Sequence, residues 1–239
     1  MSTLRLDTDI TKKNIFVSCF SSWAPGLESI SDWKEWAKGK RKIEISNKSP
    51  ALDFKEISRL KLNHKDFMLF KRRLSQISRM TLQVLYDIMT LGVDVKIVFI
   101  SFRGEIQQQF KINRLHMEEG DMSPAVFSQS VFNTPPALAS IAFGLCAGYT
   151  AIYPGESSFQ TGFFAAASPL LTGESKEIVL VYADEFCPAE YNCQMPCEPL
   201  AFAALLQTEG TGIPIPVGSE CSGSPELFLR NLYLNGDVQ

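Results

Sequence analysis

The sequence predicts an α/β fold in which a mixed five-stranded sheet carries helices on both faces. Apolar runs of strand length alternate with segments of helical periodicity, which gives the element order β-α-β-α-β-α-β-β. Parallel strands joined by helical crossovers need cover on both faces of their sheet. No internal repeat is visible, and a chain of 239 residues is long enough for one large core. We therefore predict a single domain over residues 1–239.

The predicted strands are the apolar runs, and the predicted helices lie between them. An excursion rich in Pro, Gly and Ser, with one helix at 31–38, interrupts the pattern at about 21–65. Apolar residues at helical spacing predict one long helix over 66–91, which Gly92 ends. The other predicted elements are strands at 14–20, 93–100, 149–153, 177–184 and 200–207, and helices at 105–119, from 123, from 134 and after the turn at 155–158.

Charge is distributed unevenly between the two halves of the chain. Residues 1–117 hold 21 Lys and Arg against 12 Asp and Glu, whereas residues 118–239 hold 2 against 14. So few charges cannot cover a normal soluble surface, which carries roughly a quarter to a third charged positions, so we expect a partner to cover part of the second half. Its acidity argues against nucleic acid. The most apolar stretch, 137–152, is too short and too rich in glycine for a membrane span.

The N-terminus and the cysteines indicate the compartment. The first residues are polar and acidic, unlike a signal peptide, so we expect a cytoplasmic protein whose six cysteines are thiols. Cys187, Cys193, Cys197 and Cys221 cluster near the C-terminus, but their spacing departs from the paired pattern of structural zinc sites. Phosphate-binding and dinucleotide-binding glycine motifs are absent from the sequence. We therefore predict neither a metal site nor a cofactor.

A strand–turn–helix elbow is the most informative motif of the sequence. The strand at 149–153 ends in a tight turn, and an uncharged helix rich in small residues follows. Many enzymes mount a nucleophile at such a turn, because the positive end of the helix lowers the pKa of a thiol there. Gln160 stands at this position, and an amide neither attacks nor titrates.

A second interpretation of Gln160 stays open. Ser157 followed three residues later by Gln160 forms a Ser-x-x-Gln capping box, which by itself would account for a glutamine at the start of a helix. The two interpretations are compatible, because a cap can occupy a former active site. Neither gives Gln160 a catalytic role.

The segment Phe159-Gln160-Thr161-Gly162 resembles the elbow of β-ketoacyl synthases in the thiolase superfamily, where a reactive cysteine lies in an Ala-Cys-x-Ser/Thr-Gly/Ser context. In the chain-length-factor subunits that pair with type II ketosynthases, glutamine replaces that cysteine. The strand at 179–185 also looks like its counterpart in short proteins that contain only the N-terminal half of a ketosynthase. The resemblance implies one half of a thiolase fold, without the second half.

The resemblance also implies that the chain does not condense acyl groups by itself. Ketosynthases use a cysteine thiolate and two histidines that lie after the elbow. This sequence contains only His64 and His116, both far upstream of Gln160. The implied function is a non-catalytic subunit that forms a heterodimer with an active, full-length ketosynthase and meets an acyl carrier protein through that complex. Short proteins of this kind are associated with aryl polyene biosynthesis, a type II polyketide and fatty-acid-like pathway.

The same resemblance assigns residues to two further roles. In the family, the strand before the elbow pairs with its counterpart across the dimer, so the interface residues expected here are Tyr149, Thr150, Ala151, Ile152 and Tyr153. Related subunits present side chains near 127–133 to the acyl tunnel of the partner. Two or more of four aromatic residues are expected to form the floor of this tunnel, although each also fits ordinary core packing. They are Phe127, Phe132, Phe163 and Phe164.

Two alternative functions stay open. One is an acyl-thioester transferase or hydrolase with an unrecognised nucleophile, and the other is a structural half-thiolase module that homodimerises. The Gly-x-Ser-x-Gly motif of serine hydrolases is incomplete, because Gly155 and Ser157 lack the second glycine. Behaviour in isolation distinguishes the functions: a subunit is expected to aggregate alone, whereas an enzyme is expected to be a stable, active monomer.

Overall fold

A six-stranded mixed sheet forms the centre of the computed structural model, which describes residues 13–54, 60–88, 95–120, 124–155, 158–191 and 198–236. The strands are β1 (Asn14–Trp23), β2 (Lys96–Ile100), β3 (Tyr149–Ile152), β4 (Glu177–Asp184), β5 (Leu200–Gln207) and β6 (Ile213–Pro216). Their order across the sheet is β3-β2-β4-β5-β1-β6. β2 runs parallel to β3 and β4, and all other neighbours are antiparallel.

Helices cover both faces of this sheet. They are α1 (Ile30–Ala37), α2 (His64–Lys71), α3 (Gln76–Ile88), α4 (Ile106–Glu119), α5 (Pro124–Ser128), α6 (Thr134–Phe143), α7 (Phe159–Leu171) and α8 (Pro225–Asn235). α1, α7 and α8 pack on one face, and α3 and α6 pack on the other. Among these described helices, none combines the length and the apolar character that a membrane crossing requires.

Alternation along the central strands explains why both faces are covered. In β4, Leu180 and Tyr182 belong to the core on the α7 side, whereas Val179 and Val181 belong to the core on the α3 side. Every residue from 178 to 184 is buried, so this strand needs helices on both faces. The predicted mixed α/β class is confirmed.

The sheet has one strand more than the five predicted. β6 pairs antiparallel with β1, from Pro216 opposite Asn14 to Ile213 opposite Val17. Its sequence alternates Ile and Pro, and proline excludes a central strand, which is why the sequence patterns predict no strand here. Proline is tolerated at a sheet edge, where an N–H on the outer side needs no partner. β6 occupies such an edge.

The helix predicted at 66–91 is two helices. α2 and α3 are separated by residues 72–75, and the guanidinium of Arg79 donates to the carbonyl oxygen of Lys71 at 2.8 Å across the break. The apolar spacing continues through the break, so periodicity alone does not reveal it. The predicted end of this helix and the start of the next strand fall on 89–94, outside the described residues.

The C-terminal helix α8, which the sequence patterns did not reveal, packs against the uncharged helix α7. Its residues Phe228, Leu229 and Leu232 are fully buried in the same core as Phe159 and Phe163 of α7. The inner face of α7 is therefore covered within the chain. The part of α7 left for the partner expected over the second half of the chain is its outer face, whose exposed residues are Thr161, Phe164, Ala165 and Ser168.

The prediction that all six cysteines are thiols is wrong, because Cys187 is disulfide-bonded and a disulfide takes up two sulfur atoms. Cys187 is almost fully buried, whereas Cys19 and Cys146 carry free thiols. Spacing along a sequence does not specify which sulfur atoms meet in space, so the pattern could not reveal this bond. Outside the described residues lie Cys193, Cys197 and the side chain of Cys221.

Candidate functional site

The turn between β3 and α7 forms the predicted elbow. Ser158 is the last residue before α7 and has a φ of 145°, a backbone conformation that residues with a side chain rarely adopt. Strain of this kind clusters at functional turns. The Ser158 side chain makes no capping hydrogen bond to α7, and the capping box through Ser157 lies outside the described residues.

Gln160 lies in the first turn of α7 and is half-buried. Its Nε2 donates to Ser222 Oγ at 3.4 Å, and Ser222 Oγ donates to the carbonyl oxygen of Ser219 at 2.8 Å. The amide therefore ties the start of α7 to the segment that precedes α8. Because a carboxamide neither ionises nor attacks a carbonyl, Gln160 supplies no nucleophile at the helix end where a thiol would be activated.

The two phenylalanines predicted on α7 as tunnel residues differ in burial. Phe163 is fully buried, and its ring centroid lies 5.6 Å from that of Phe228. Phe159, one turn earlier, is also fully buried, with its ring 6.0 Å from Tyr182. Phe164 lies on the outer face and is 37 % exposed. Phe163 is thus a core residue, and Phe164 is a surface residue.

Phe127 and Phe132 border a surface cavity of about 340 Å³. Phe127 is 53 % exposed, whereas the ring of Phe132 packs 6.3 Å from that of Phe99 in β2. The structure thus brings these two predicted tunnel residues together and keeps them apart from Phe163 in the core. The other residues that line the cavity come from α4 and from the turn after α5: Gln109, Ile112, Asn113, Ser130 and Val131.

β3 is an edge strand, which in the described sheet pairs with β2 alone. The carbonyl oxygens of Gly148 and Ile152 accept N–H groups from β2 and from the residue after it, both at 3.2 Å. Backbone groups alternate direction along a strand, so those of Thr150 also face β2. Those of Tyr149 and Ala151 face the free edge.

The two edges of the sheet differ in how they are protected. β6 carries Pro214 and Pro216, which hinder a further strand from joining. β3 contains neither proline nor a charged residue, and Tyr153, directly after it, is 61 % exposed. The neighbouring helix α6 contacts β3 and exposes Ile141. An apolar, unprotected edge of this kind is suited to pairing with another chain.

The sequence patterns did not reveal a network of hydrogen bonds around buried acidic residues. Asp184 accepts hydrogen bonds from Ser101 Oγ at 2.7 Å, from the Tyr182 hydroxyl at 2.8 Å and from the N–H of Arg103 at 3.0 Å. Burial raises the pKa of Asp184, and the charge of Arg103 opposes that shift. This network holds the loop after β2 against the end of β4. The sequence feature that could have revealed this network is the pair Asp184-Glu185 at the end of an otherwise apolar strand.

The described residues contain no group of three His, Cys, Asp or Glu side chains that could hold a metal ion. His116 is exposed on α4, and the side chain of His64 lies outside the described residues. The candidate site therefore consists of the elbow, the β3 edge, the cavity beside Phe127 and the buried acids.

Comparison with known proteins places this geometry in a family. A family model described as β-ketoacyl synthase, N-terminal domain, matches residues 33–218. No curated protein matches the chain. Among solved structures, the complex of a ketosynthase with its chain length factor from Xenorhabdus doucetiae contains a similar chain, with 24% identity and a TM-score of 0.65. The similarity covers 84% of this chain and 81% of that one.

Two further solved structures have the same fold. The ishigamide ketosynthase/chain length factor is 11% identical, with a TM-score of 0.59, over 84% of this chain and 64% of that one. A type II polyketide synthase acyl carrier protein in complex with its ketosynthase is 15% identical, with a TM-score of 0.54, over 82% and 63%. This chain thus spans less than two thirds of both. Because the family model matches more than half of the sequence, the chain belongs to the β-ketoacyl synthase N-terminal domain family.

Proposed function

We propose that this chain is a non-catalytic subunit, similar to a chain length factor, that forms a heterodimer with an active ketosynthase. Gln160 carries the proposal, because by the resemblance of its elbow it holds the position at which ketosynthases have a reactive cysteine, and its amide is hydrogen-bonded to Ser222. The fold shared with ketosynthase and chain length factor complexes supports it. The subunit would act in the cytoplasm, in a type II polyketide or fatty-acid-like pathway of the aryl polyene kind.

We expect the ketosynthase to contact the free edge of β3 and Tyr153, the residue after this strand. The outward backbone groups of Tyr149 and Ala151 would pair with the equivalent strand of the partner, while Thr150 and Ile152 hold the strand to β2. Exposed Tyr153 would extend the contact. The absence of proline and charge in β3 supports this contact, since an unprotected edge otherwise invites aggregation.

Phe127 and Phe132 are the proposed contribution to the acyl tunnel. They line one cavity, and Phe127 is exposed enough to reach an acyl chain held by the partner. Phe164 stays a candidate on the outer face of α7, but the core position of Phe163 does not favour a tunnel role. An acyl carrier protein would deliver the acyl chain to the complex.

The experiment that tests the function is purification of the full chain with and without a co-expressed ketosynthase. The chain alone is expected to aggregate or to be unstable, and the pair is expected to purify as a heterodimer that condenses acyl groups from a carrier protein. A stable monomer that acts on acyl thioesters would instead indicate a transferase or hydrolase. A stable homodimer that ignores the ketosynthase would indicate a structural module.

Substitution of Gln160 tests the non-catalytic role. Gln160→Ala is expected to leave condensation by the assembled pair largely unchanged and to cost at most about 1 kcal/mol of stability, because it removes one hydrogen bond to Ser222. Gln160→Cys is expected to create no condensation in the chain alone, because a thiol without the two histidines is insufficient. Turnover of carrier-bound substrates and chemical denaturation are the measurements. Complete loss of turnover in a Gln160→Ala complex that stays assembled would contradict the proposal.

Substitution of the cavity phenylalanines tests the tunnel. Phe127→Ala and Phe132→Ala are expected to shift the acyl products of the reconstituted pair to greater length, because each ring occupies the volume of several methylene groups. Mass spectrometry of carrier-bound products gives the length distribution. Leu69→Ala, an exposed apolar residue on α2 that borders neither the cavity nor α7, is the control and is expected to change nothing. An unchanged distribution in both phenylalanine variants, with the complexes folded, would remove this cavity from the tunnel.

A further inference from the structure

Two glutamates meet beyond the carboxyl ends of β2 and β4, at the sheet edge where the parallel strand β3 also ends. Glu105 directly precedes α4, and Glu185 directly follows β4. Both side chains are fully buried. Neither forms an ion pair within the described part of the chain. Two unpaired carboxyl groups in a protein interior call for a physical explanation, because isolated buried charges are costly.

Glu185 is surrounded by donors and suits a negative charge. Its Oε1 accepts the N–H of Gln107 at 2.9 Å, and its Oε2 accepts the N–H of Ile77 at 3.3 Å and Nε2 of Gln107 at 3.2 Å. Ile77 and Gln107 lie in the first turns of α3 and α4, where N–H groups lack partners within the helix. Glu185 thus joins the beginnings of two helices to the end of β4.

Glu105 is short of donors. Its Oε1 accepts hydrogen bonds from the hydroxyls of Ser75 and Ser78, both at 2.8 Å. Its Oε2 is buried and has no hydrogen-bond partner. An ionised oxygen without a partner is strongly disfavoured in this setting, whereas a protonated oxygen removes the charge.

We propose that Glu105 and Glu185 together hold one proton at neutral pH, and that loss of this proton loosens the attachment of α3 and α4 to the end of β4. The unpartnered Oε2 of Glu105 is the place for the proton, because every other carboxyl oxygen of the pair accepts a hydrogen bond. In the protonated state one negative charge remains, on Glu185, where the two helix beginnings stabilise it. In the ionised state two charges share the same buried space.

The charged groups around the pair do not cancel this effect. Burial raises the pKa of Glu105 to about 7, and only Lys111 on α4 opposes the shift by its charge. Burial, and the charge of Glu105 once that group ionises, raise the pKa of Glu185 to about 8. Asp184 adds to that shift, and the N–H groups of Gln107 and Ile77 oppose it. Arg103, from the loop after β2, donates to the carbonyl oxygen of Glu185 at 3.2 Å and acts on the carboxyl of Asp184. The Tyr182 hydroxyl also bonds Asp184.

The direction of the pH effect follows from these shifts. In the unfolded chain both glutamates have an ordinary pKa of about 4.3. The folded chain therefore binds more protons than the unfolded chain at pH values between about 4.5 and 8, and stability falls as pH rises through that window. The stabilising contribution of the shared proton is complete at low pH and lost above a pH of about 8. Within the window, one proton changes the unfolding constant by up to about tenfold per pH unit.

The consequence concerns α4 above all. Among the described side chains of α4 beyond its first turns, only Ile112 is buried, and the residues from 113 to 118 are exposed. The contacts of Glu105 and Glu185 attach the beginning of this helix to α3 and to the end of β4, alongside those of Gln109 with Ser130 and of Phe110 with Tyr191. Gln109 and Asn113 of α4 line the cavity beside Phe127, so loss of the proton is expected to loosen one wall of that cavity.

The test compares urea unfolding of the full chain at a pH of about 6 and of about 8.5. The unfolding constant of the natural chain is expected to rise at least about tenfold, whereas that of Glu105→Gln, which mimics the protonated carboxyl, is expected to rise less than about threefold. Glu118→Gln, an exposed position on the same helix, should behave as the natural chain does. A Glu105→Gln variant with the pH dependence of the natural chain would overturn the proposal.

A second measurement tests the proposal even if the Glu105→Gln variant does not fold, because it uses the natural chain. Carbon-13 titration of the glutamate carboxyls in the natural, folded chain is expected to show a resonance that changes with a midpoint above a pH of about 6. If every glutamate carboxyl titrates below a pH of about 5.5, the pair holds no proton at neutral pH and the proposal fails. Neither measurement depends on a ketosynthase partner, so this inference and the proposed function can fail separately.

Discussion

Ala151→Pro is expected to weaken assembly with a ketosynthase strongly while the chain stays folded. The N–H of Ala151 faces the free edge of β3, so proline removes a donor that a partner strand alone would use. The lost bond and the clash of the ring are expected to cost about 3 kcal/mol. That is on the order of a hundredfold weaker binding. Size-exclusion chromatography with light scattering measures assembly, and circular dichroism measures folding.

The register of β3 supplies matched controls for this variant. Thr150→Pro removes a donor that faces β2, so it is expected to destabilise the sheet itself rather than the assembly alone. Pro214→Ala changes the opposite edge of the sheet and is expected to leave assembly unchanged. If folded Ala151→Pro binds the ketosynthase as tightly as the natural chain does, the β3 edge is not the interface.

Phe163→Ala is expected to lower the free energy of unfolding by about 3–5 kcal/mol, because the ring is fully buried and its removal leaves a cavity beside Phe228. Phe164→Ala, at the next position, is expected to cost less than about 1 kcal/mol because that side chain is partly in solvent. Urea denaturation of both variants gives the comparison. A Phe163→Ala chain of natural stability whose complex makes longer products would return Phe163 to the tunnel.

The central strands could be predicted closely from the sequence. The bounds predicted for β4 and β5, 177–184 and 200–207, are those of the structure. Both strands are buried on both faces and read as continuous apolar runs, which is a strong local signal. β6 and α8 were missed for different reasons. The prolines of β6 argue against a strand. The only sequence signal for α8 is a short capping motif at Ser224, whose Oγ accepts the N–H of Leu227 at 3.1 Å.

The candidate site was predictable only in part. A glutamine at the elbow is visible in the sequence, because it depends on one short motif. The different environments of Phe163 and Phe164 are not visible, because both follow the same turn in an uncharged helix. Contact with the sheet and α8 buries Phe163 and leaves Phe164 outside. Two adjacent residues on a helix point about 100° apart, so only the packing decides which one enters the core.

By itself, the sequence determined the α/β class, the central strands and a glutamine at the elbow, because each depends on residues that are neighbours along the chain. Only the tertiary structure decided which sheet edge is unprotected, that the inner face of α7 is covered by α8, and that Glu105 and Glu185 share a buried space. These features depend on contacts between distant positions: Gln107 and Glu185 meet across 78 residues. Local patterns cannot specify such contacts, because the packing of the whole chain brings the groups together and removes the water between them.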